Sequence, residues 1–324
     1  MDARIGVERL ASRVAHQLRI ARESLLNEAP IDIPGPGRDS PPVCSASVVT
    51  YRSDLSRFQR LIKGLIPALS DVAARYGGHA ILYLVSNDGD PTFERAVVAE
   101  LDEATARARE RVRLRTFNGH GNIGYGAAHN LAIRATRSRY HLILNPDVEL
   151  EPEAVLAGVR YLESDADCVL AAPHGLDRSG RYLRLAKRSP GVLTLALRAA
   201  HVAAGPAGPR RMISNYTYCD LLPADSPQRI ELASGCCMLC RTEAIKRVHG
   251  FDERYFLFFE DFDLSKRLSR LGDLVEVPDF TIRHFGGDAS RRGIVTIVRF
   301  VSSALRYFRL HGARRGVAGR IPLE

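Results

Sequence analysis

The sequence predicts an α/β protein built on a mostly parallel, Rossmann-like sheet with helices on both faces. Two observations carry this. Between residues 44 and 173, short apolar runs rich in β-branched residues alternate with longer amphipathic runs, and strands separated by helices need right-handed crossovers and so lie parallel. Several of the apolar runs also end directly in Thr, Asn or Asp, and open α/β sheets meet ligands outside the carboxyl ends of their strands. A chain of 324 residues, 45% apolar and 26% charged, suits one large α/β domain or two smaller ones.

Residues 4–27 place Val7, Leu10, Val14, Leu18, Ala21 and Leu25 three or four positions apart, which marks one face of an amphipathic helix. This helix, assigned to residues 1–28, suits homodimerisation, docking on the main domain or binding a partner. Residues 29–42 hold five prolines and two glycines and read as a linker, because ring constraints and missing N–H donors exclude a helix or a central strand. The main domain is expected over residues 43–290, with its first half ending near residue 150 and a basic tail over 291–324. Within it the pattern predicts strands at 44–50, 80–86, 111–117, 140–145 and 168–173. Helices are expected at 55–69, 92–109, 124–136 and 152–162. Farther on, residues 232–241 predict a strand, 242–248 a short helix with Thr242 as N-cap, and 260–271 a longer helix. Pro/Gly clusters between 175 and 230 read as loops over the sheet, where specificity for a second substrate usually resides.

No apolar run approaches the roughly 20 residues that span a bilayer, and the first thirty residues carry Arg and Glu without an apolar signal core. The chain is therefore expected in the cytosol, with its six cysteines reduced. The CCMLC run at 236–240 lacks a second CxxC or a close His pair to complete a metal site, so it reads as alternate residues of a buried strand. The net charge of +9 is concentrated at the end: residues 291–324 hold eight Arg and one Glu. Apolar residues interleaved with that charge favour a membrane surface over nucleic acid as partner, unless the apolar face packs on the parent domain.

The chemistry is expected at the strand ends. Asp147 follows the YHLILNP run at 140–146 with no turn residue before the strand's end, where a metal or phosphate would be met. An isolated Asp after a strand is more often a turn former or helix N-cap. Thr50 and Tyr51 offer a hydroxyl and a ring at the first strand's edge, while Ser86, Asn87 and Asp88 close the second. Residues 118–130, NGHGNIGYGAAHN, pack four glycines and three asparagines ahead of a helix, so backbone can approach a ligand and helix N–H groups can face an anion. That run fits neither GxGxxG with its downstream ribose acid nor the P-loop, which disfavours a dehydrogenase or a P-loop ATPase. Glu260, Asp261 and Asp263 cluster at a predicted helix start, where the dipole alone would stabilise them. The apolar run FDERYFLFF before them lowers the local dielectric and would make a neighbouring carboxylate a better base.

Taken in order and spacing, VVTY at 48–51, NIGYGAAHN at 122–130, LILNPD at 142–147, SGCCMLCRTEAI at 234–245, GFDERYFLFFEDFDLSKRL at 250–268 and the later His284 resemble the family 2 inverting glycosyltransferases of GT-A fold. They resemble most the bacterial rhamnosyltransferase branch, and the resemblance covers roughly residues 44–290. It implies that Asp147 and His284 hold a divalent cation, Mg²⁺ or Mn²⁺, with Asn145 where the metal motif would have its first acid. It implies Asp261, second of the Glu260–Asp261 pair, as catalytic base, and Thr50, Tyr51, Asn87, Gly124 and Asn130 on the nucleotide side. Members usually carry Asp-Asn at the end of the second strand, whereas this chain has Ser86-Asn87, with Asp88 one residue further on. The implied donor is dTDP-L-rhamnose or a UDP-sugar, and the implied acceptor a lipid-linked or cell-surface glycan met at the inner membrane face. The rival readings are a non-catalytic sugar-nucleotide-binding relative, suggested by Ser86 and Asn145, and a nucleotidyltransferase, which lacks its Gly-rich basic loop at the first strand.

Overall fold

A computed structural model of the chain describes residues 41–88, 111–191, 216, 218, 225–285 and 294–312. The expected N-terminal helix, most of the linker and the expected helix at 92–109 lie outside the described residues.

A nine-stranded sheet organises the described chain in the order β3 (Val112–Phe117), β2 (Ala80–Ser86), β1 (Cys44–Thr50), β4 (Tyr140–Leu144), β8 (Cys237–Arg241), β6 (Cys168–Leu176), β9 (Asp273–His284) and β5 (Val148–Leu150), with β7 (Gln228–Arg229) pairing β9. Its first half is the expected parallel array: β1 (Cys44–Thr50), β2 (Ala80–Ser86), β3 (Val112–Phe117) and β4 (Tyr140–Leu144). Alternate residues of these strands serve two cores. Cys44, Ala46 and Val48 of β1, with Leu82, Leu142 and Leu144, pack under α1 (Leu55–Arg75) and α3 (Ala154–Ser164). On the other face lie α2 (Tyr125–Ala135), α4 (Thr242–Arg247) and α5 (Glu260–Leu268), around Ile143, Ile245, Phe251 and Leu264. Helices thus cover both faces, as the alternation predicts. Asp54 caps α1 by accepting the Arg57 N–H at 3.1 Å, which satisfies one orphan donor of the first turn.

The second half departs from the parallel pattern. β8 (Cys237–Arg241) runs antiparallel between β4 and β6 (Cys168–Leu176). It begins later than the strand expected at 232–241, because residues 233–236 turn away to bring Gly235 against α5. Thr242 is the first residue of α4 and not its N-cap; that position belongs to Arg241, and the buried Thr242 hydroxyl instead meets Ser138 at 3.3 Å. The longest strand, β9 (Asp273–His284), and the three-residue β5 (Val148–Leu150) have no counterpart in the sequence reading. They pair antiparallel with Val148 opposite His284. The two-residue β7 (Gln228–Arg229) is equally unannounced. The basic tail contains a helix, α6 (Ile294–His311), which packs on α5.

The CCMLC run is the buried strand expected of it, with Cys236, Cys237 and Cys240 all buried as free thiols. Burial pushes the Cys236 thiol up to about 12, so it is neither nucleophile nor ready metal ligand.

Candidate functional site

The carboxyl ends of β1, β2 and β4 and the start of α2 meet at one edge. Thr50 and Ser86 are register partners at the ends of β1 and β2, and the Asn87 N–H donates to the Thr50 carbonyl at 2.9 Å. Asn87 also donates its side-chain amide to the Gly124 carbonyl at 3.2 Å, which ties the strand edge to the entry of α2. Thr50 Oγ1 and Asn87 Oδ1 are buried with no hydrogen-bond partner among the described residues. Unpartnered buried oxygens are costly unless a ligand or water satisfies them. Asp88 reaches across to accept the Arg52 N–H, so it closes the loop after β1. Tyr51 is exposed beside it, and the Arg52 guanidinium lies 5.4 Å from its ring centre.

Gly124 has φ +93, and a Cβ there would come within 2.6 Å of the Phe256 carbonyl oxygen. That contact is real structure: the Tyr125 N–H donates to the same carbonyl at 3.1 Å. The glycine-rich run therefore fits α2 closely against the 250–259 segment. Asn130 does the same from inside α2, accepting from the Phe251 N–H at 2.8 Å and donating to its carbonyl at 2.8 Å and to Glu253 at 3.0 Å. Its buried amide is committed to this clamp. The resemblance assigns Asn130 to the nucleotide side; its polar atoms here bond Phe251 and Glu253.

Asp147 sits in the turn after β4, where the Asn145 N–H donates to the Cys236 carbonyl at 2.9 Å and fixes the turn against β8. The β5–β9 pairing sets His284 opposite Val148, next to Asp147. Burial holds the His284 imidazole below its usual range, while the Asp147 carboxylate pulls it back up. A neutral imidazole beside a carboxylate is a two-residue donor set for a divalent cation. Among the described residues no three His, Cys, Asp or Glu side chains gather to enclose a metal alone.

The acidic pair lies on the first turn of α5. Phe258 and Phe259 precede it with φ of 71° and 65°, two consecutive left-handed aromatic residues. Such backbone costs on the order of 1–3 kcal/mol per residue and persists only where packing enforces it. Here Phe259 is buried against Phe262 and Tyr307. The turn sends Glu260 inward, 5% exposed, with its Oε2 unpartnered among the described residues. Burial, then the neighbouring Asp261 charge, holds the Glu260 carboxyl well above the carboxylate range.

Asp261 keeps partial exposure. Its Oδ2 accepts the Gly235 N–H at 2.9 Å and its Oδ1 the Phe262 N–H at 2.9 Å. Desolvation raises its pKa, and these two N–H groups and the Lys187 cation act the other way. The net effect raises the Asp261 carboxyl above its ordinary value, and Asp261 is the acid of the pair that keeps partial exposure. Three contributors escaped the sequence reading. Gly235 holds Asp261, the Tyr125 hydroxyl donates to the Gly235 carbonyl and fixes that peptide, and Lys187 lends charge from a loop with no motif.

Comparison with known proteins bears on the family and the fold. The family model described as glycosyl transferase family 2 matches residues 50–248. The N-acetylglucosaminyl-diphospho-decaprenol L-rhamnosyltransferase of Mycobacterium tuberculosis is 29% identical over 184 residues, 53% of this chain and 58% of that protein. The chain thus matches little more than half the length of that curated relative. Rhamnosyltransferase WbbL of Escherichia coli is 26% identical over 196 residues, covering 58% of this chain and 70% of the relative. Among solved structures, GalNAc-T7 with UDP, GalNAc and Mn²⁺ superposes with TM-score 0.58 at 11% identity, covering 84% of this chain and 48% of that one. The mannosyltransferase PcManGT of Pyrobaculum calidifontis, in complex with GDP-Man and Mn²⁺, gives TM-score 0.53 at 14% identity, covering 97% and 76%. At these identities the two structures show a shared GT-A fold.

Proposed function

The chain belongs to glycosyl transferase family 2, and from that premise we propose that it moves a sugar from a nucleotide-diphosphate donor to an acceptor hydroxyl with inversion at the anomeric carbon. The donor is dTDP-L-rhamnose and the acceptor a lipid-linked glycan of the cell surface, met at the inner membrane face. The names of the two curated relatives support the sugar, and the mycobacterial relative's name supports a polyprenyl-linked acceptor. The observation that carries the reading is Asp261: a partly exposed carboxylate held by two backbone N–H groups, near the same Cys236 whose thiol also feels the Asp147 charge.

Asp261 takes the proton of the acceptor hydroxyl as that oxygen forms its bond to the anomeric carbon. The bond from that carbon to the diphosphate oxygen breaks on the opposite face, and the electron pair leaves with the nucleotide. Gly235 and Phe262 aim the carboxylate before the acceptor arrives, which is preorganisation that need not be made during the reaction. Thr50 and Asn87 offer the buried oxygens that fix the nucleotide, and Tyr51 lies where a ring could cover it. Asp147 and His284 would hold Mg²⁺ or Mn²⁺, which supplies Lewis-acid stabilisation of the departing diphosphate.

Titration of the purified protein with dTDP and UDP, each with and without Mn²⁺, tests the donor side. Mn²⁺-dependent binding of dTDP, lost in Asp147→Ala, is the expected result. Preference for UDP would reassign the donor, and failure of both nucleotides to bind would favour a non-catalytic relative.

A further inference from the structure

We propose that α6 is an interfacial helix that docks this protein on the surface of an anionic phospholipid bilayer. This deepens the reading of a lipid-linked acceptor, and its observations are independent of the donor site. Of the nine large apolar side chains that are exposed among the described residues, seven lie on this one helix. Ile297, Val298, Val301 and Leu305 form its outward stripe, with Val298 60% and Leu305 53% exposed. A stripe of that kind on a single helix is what a membrane interface takes up and water does not.

The opposite face of α6 is already engaged. Tyr307 is buried against Phe259, the Ser303 hydroxyl donates to the Leu257 carbonyl at 2.9 Å, and His311 Nε2 lies 2.8 Å from Asp263 Oδ1. Packing on the parent domain therefore accounts for one side of the helix only. Charge then selects the occupant of the other side. No Asp or Glu occurs in residues 294–312, whereas Arg309 is exposed beside the stripe and Arg299 and Arg306 lie farther round the helix, over the rings of Phe256 and Tyr255. A second copy of the chain in two-fold pairing would set these arginines against their own kind, and an anionic headgroup layer would neutralise them. Among the described residues no helix is long and apolar enough to cross a membrane, so α6 would lie along the surface. It packs on residues 255–262, the segment that leads into Asp261, so docking would hold the base and its acceptor at the same interface.

Sedimentation of the full chain with phosphatidylglycerol-containing or pure phosphatidylcholine vesicles tests this without donor or acceptor, so failure of the glycosyltransfer reading leaves the result interpretable. The wild type is expected to sediment with the anionic vesicles, far less with the neutral ones, and less as salt rises. Arg309→Gln is expected to weaken binding about fivefold, and Val301→Glu/Leu305→Glu to weaken it by roughly tenfold or more. Both variants change exposed side chains, so their melting temperatures are expected to match the wild type. Should the double variant fail to fold, Arg309→Gln and the salt series still decide. A wild type that stays in the supernatant with anionic vesicles, or variants that sediment like it, would overturn the proposal. So would a wild-type dimer in light scattering that Val301→Glu/Leu305→Glu dissolves without any vesicle binding, since that assigns the stripe to a second copy.

Discussion

The carboxylate of Asp261 accepts the backbone N–H of Gly235 at 2.9 Å, which ties the start of α5 to the turn that enters β8. A Cβ on residue 235 would stand 3.2 Å from the Asp261 Cβ and 3.5 Å from Tyr125 Cε1. Gly235→Ala should therefore displace the base by a few tenths of an ångström without unfolding the chain. The expected outcome is a turnover lower by about 10- to 100-fold with donor affinity retained, at a cost of roughly 1–3 kcal/mol in stability. Single-turnover kinetics beside nucleotide titration separates the two effects.

Glu260 should make stability depend on pH in a defined direction. Its folded-state pKa lies well above the ordinary 4.5, so between those two values the folded protein binds more protons than the unfolded chain. Stability then falls as pH rises through that window, by about 1.4 kcal/mol for every pH unit spanned. Glu260→Gln is expected to melt higher than the wild type at pH 7 to 8, and the gap should close below about pH 4. Thermal melts across that range check it, and an equal gap at all pH values would show that charge burial is not the cause.

Thr50→Val should split binding from stability. The hydroxyl is buried without a protein partner among the described residues, so replacing it with a methyl removes a desolvation cost and leaves melting unchanged or raised. A nucleotide that uses this hydroxyl would bind about fivefold more weakly. Calorimetric titration and a melt on the same preparation read both signs.

Much of the fold was legible because the parallel strands β1, β2 and β4 are short, mostly apolar runs. Even Ser45 and Ser47, polar residues within β1, are satisfied inside the fold by His141 and His129. β9 was hidden for the opposite reason: Asp273, Glu276 and Asp279 break its alternation and Pro278 falls inside it. The pairing that brings His284 beside Asp147 runs through the three-residue β5, too short to leave a period. Asp261 was visible as part of an acid cluster after an aromatic run, whereas its support was not. Tyr125 and Gly235 are 110 positions apart, and Gly235 and Asp261 26; nothing local to any of them announces the contact. The aromatic residues at 258 and 259 read as burial, and their left-handed backbone became evident only in the structure.

The central claim is that Asp261 is the base of an inverting sugar transfer, and comparison of Asp261→Asn with the wild type tests it most directly. Both would be given dTDP-L-rhamnose, Mn²⁺ and a polyprenyl-diphosphate-linked N-acetylglucosamine acceptor. Product formation and anomeric configuration would be followed by NMR, and donor affinity by calorimetry. The account predicts an inverted glycoside from the wild type, and from Asp261→Asn a turnover lower by about 10²- to 10⁴-fold with donor affinity kept. An Asp261→Asn enzyme that transfers sugar at the wild-type rate, or a wild-type product of retained configuration, would contradict it.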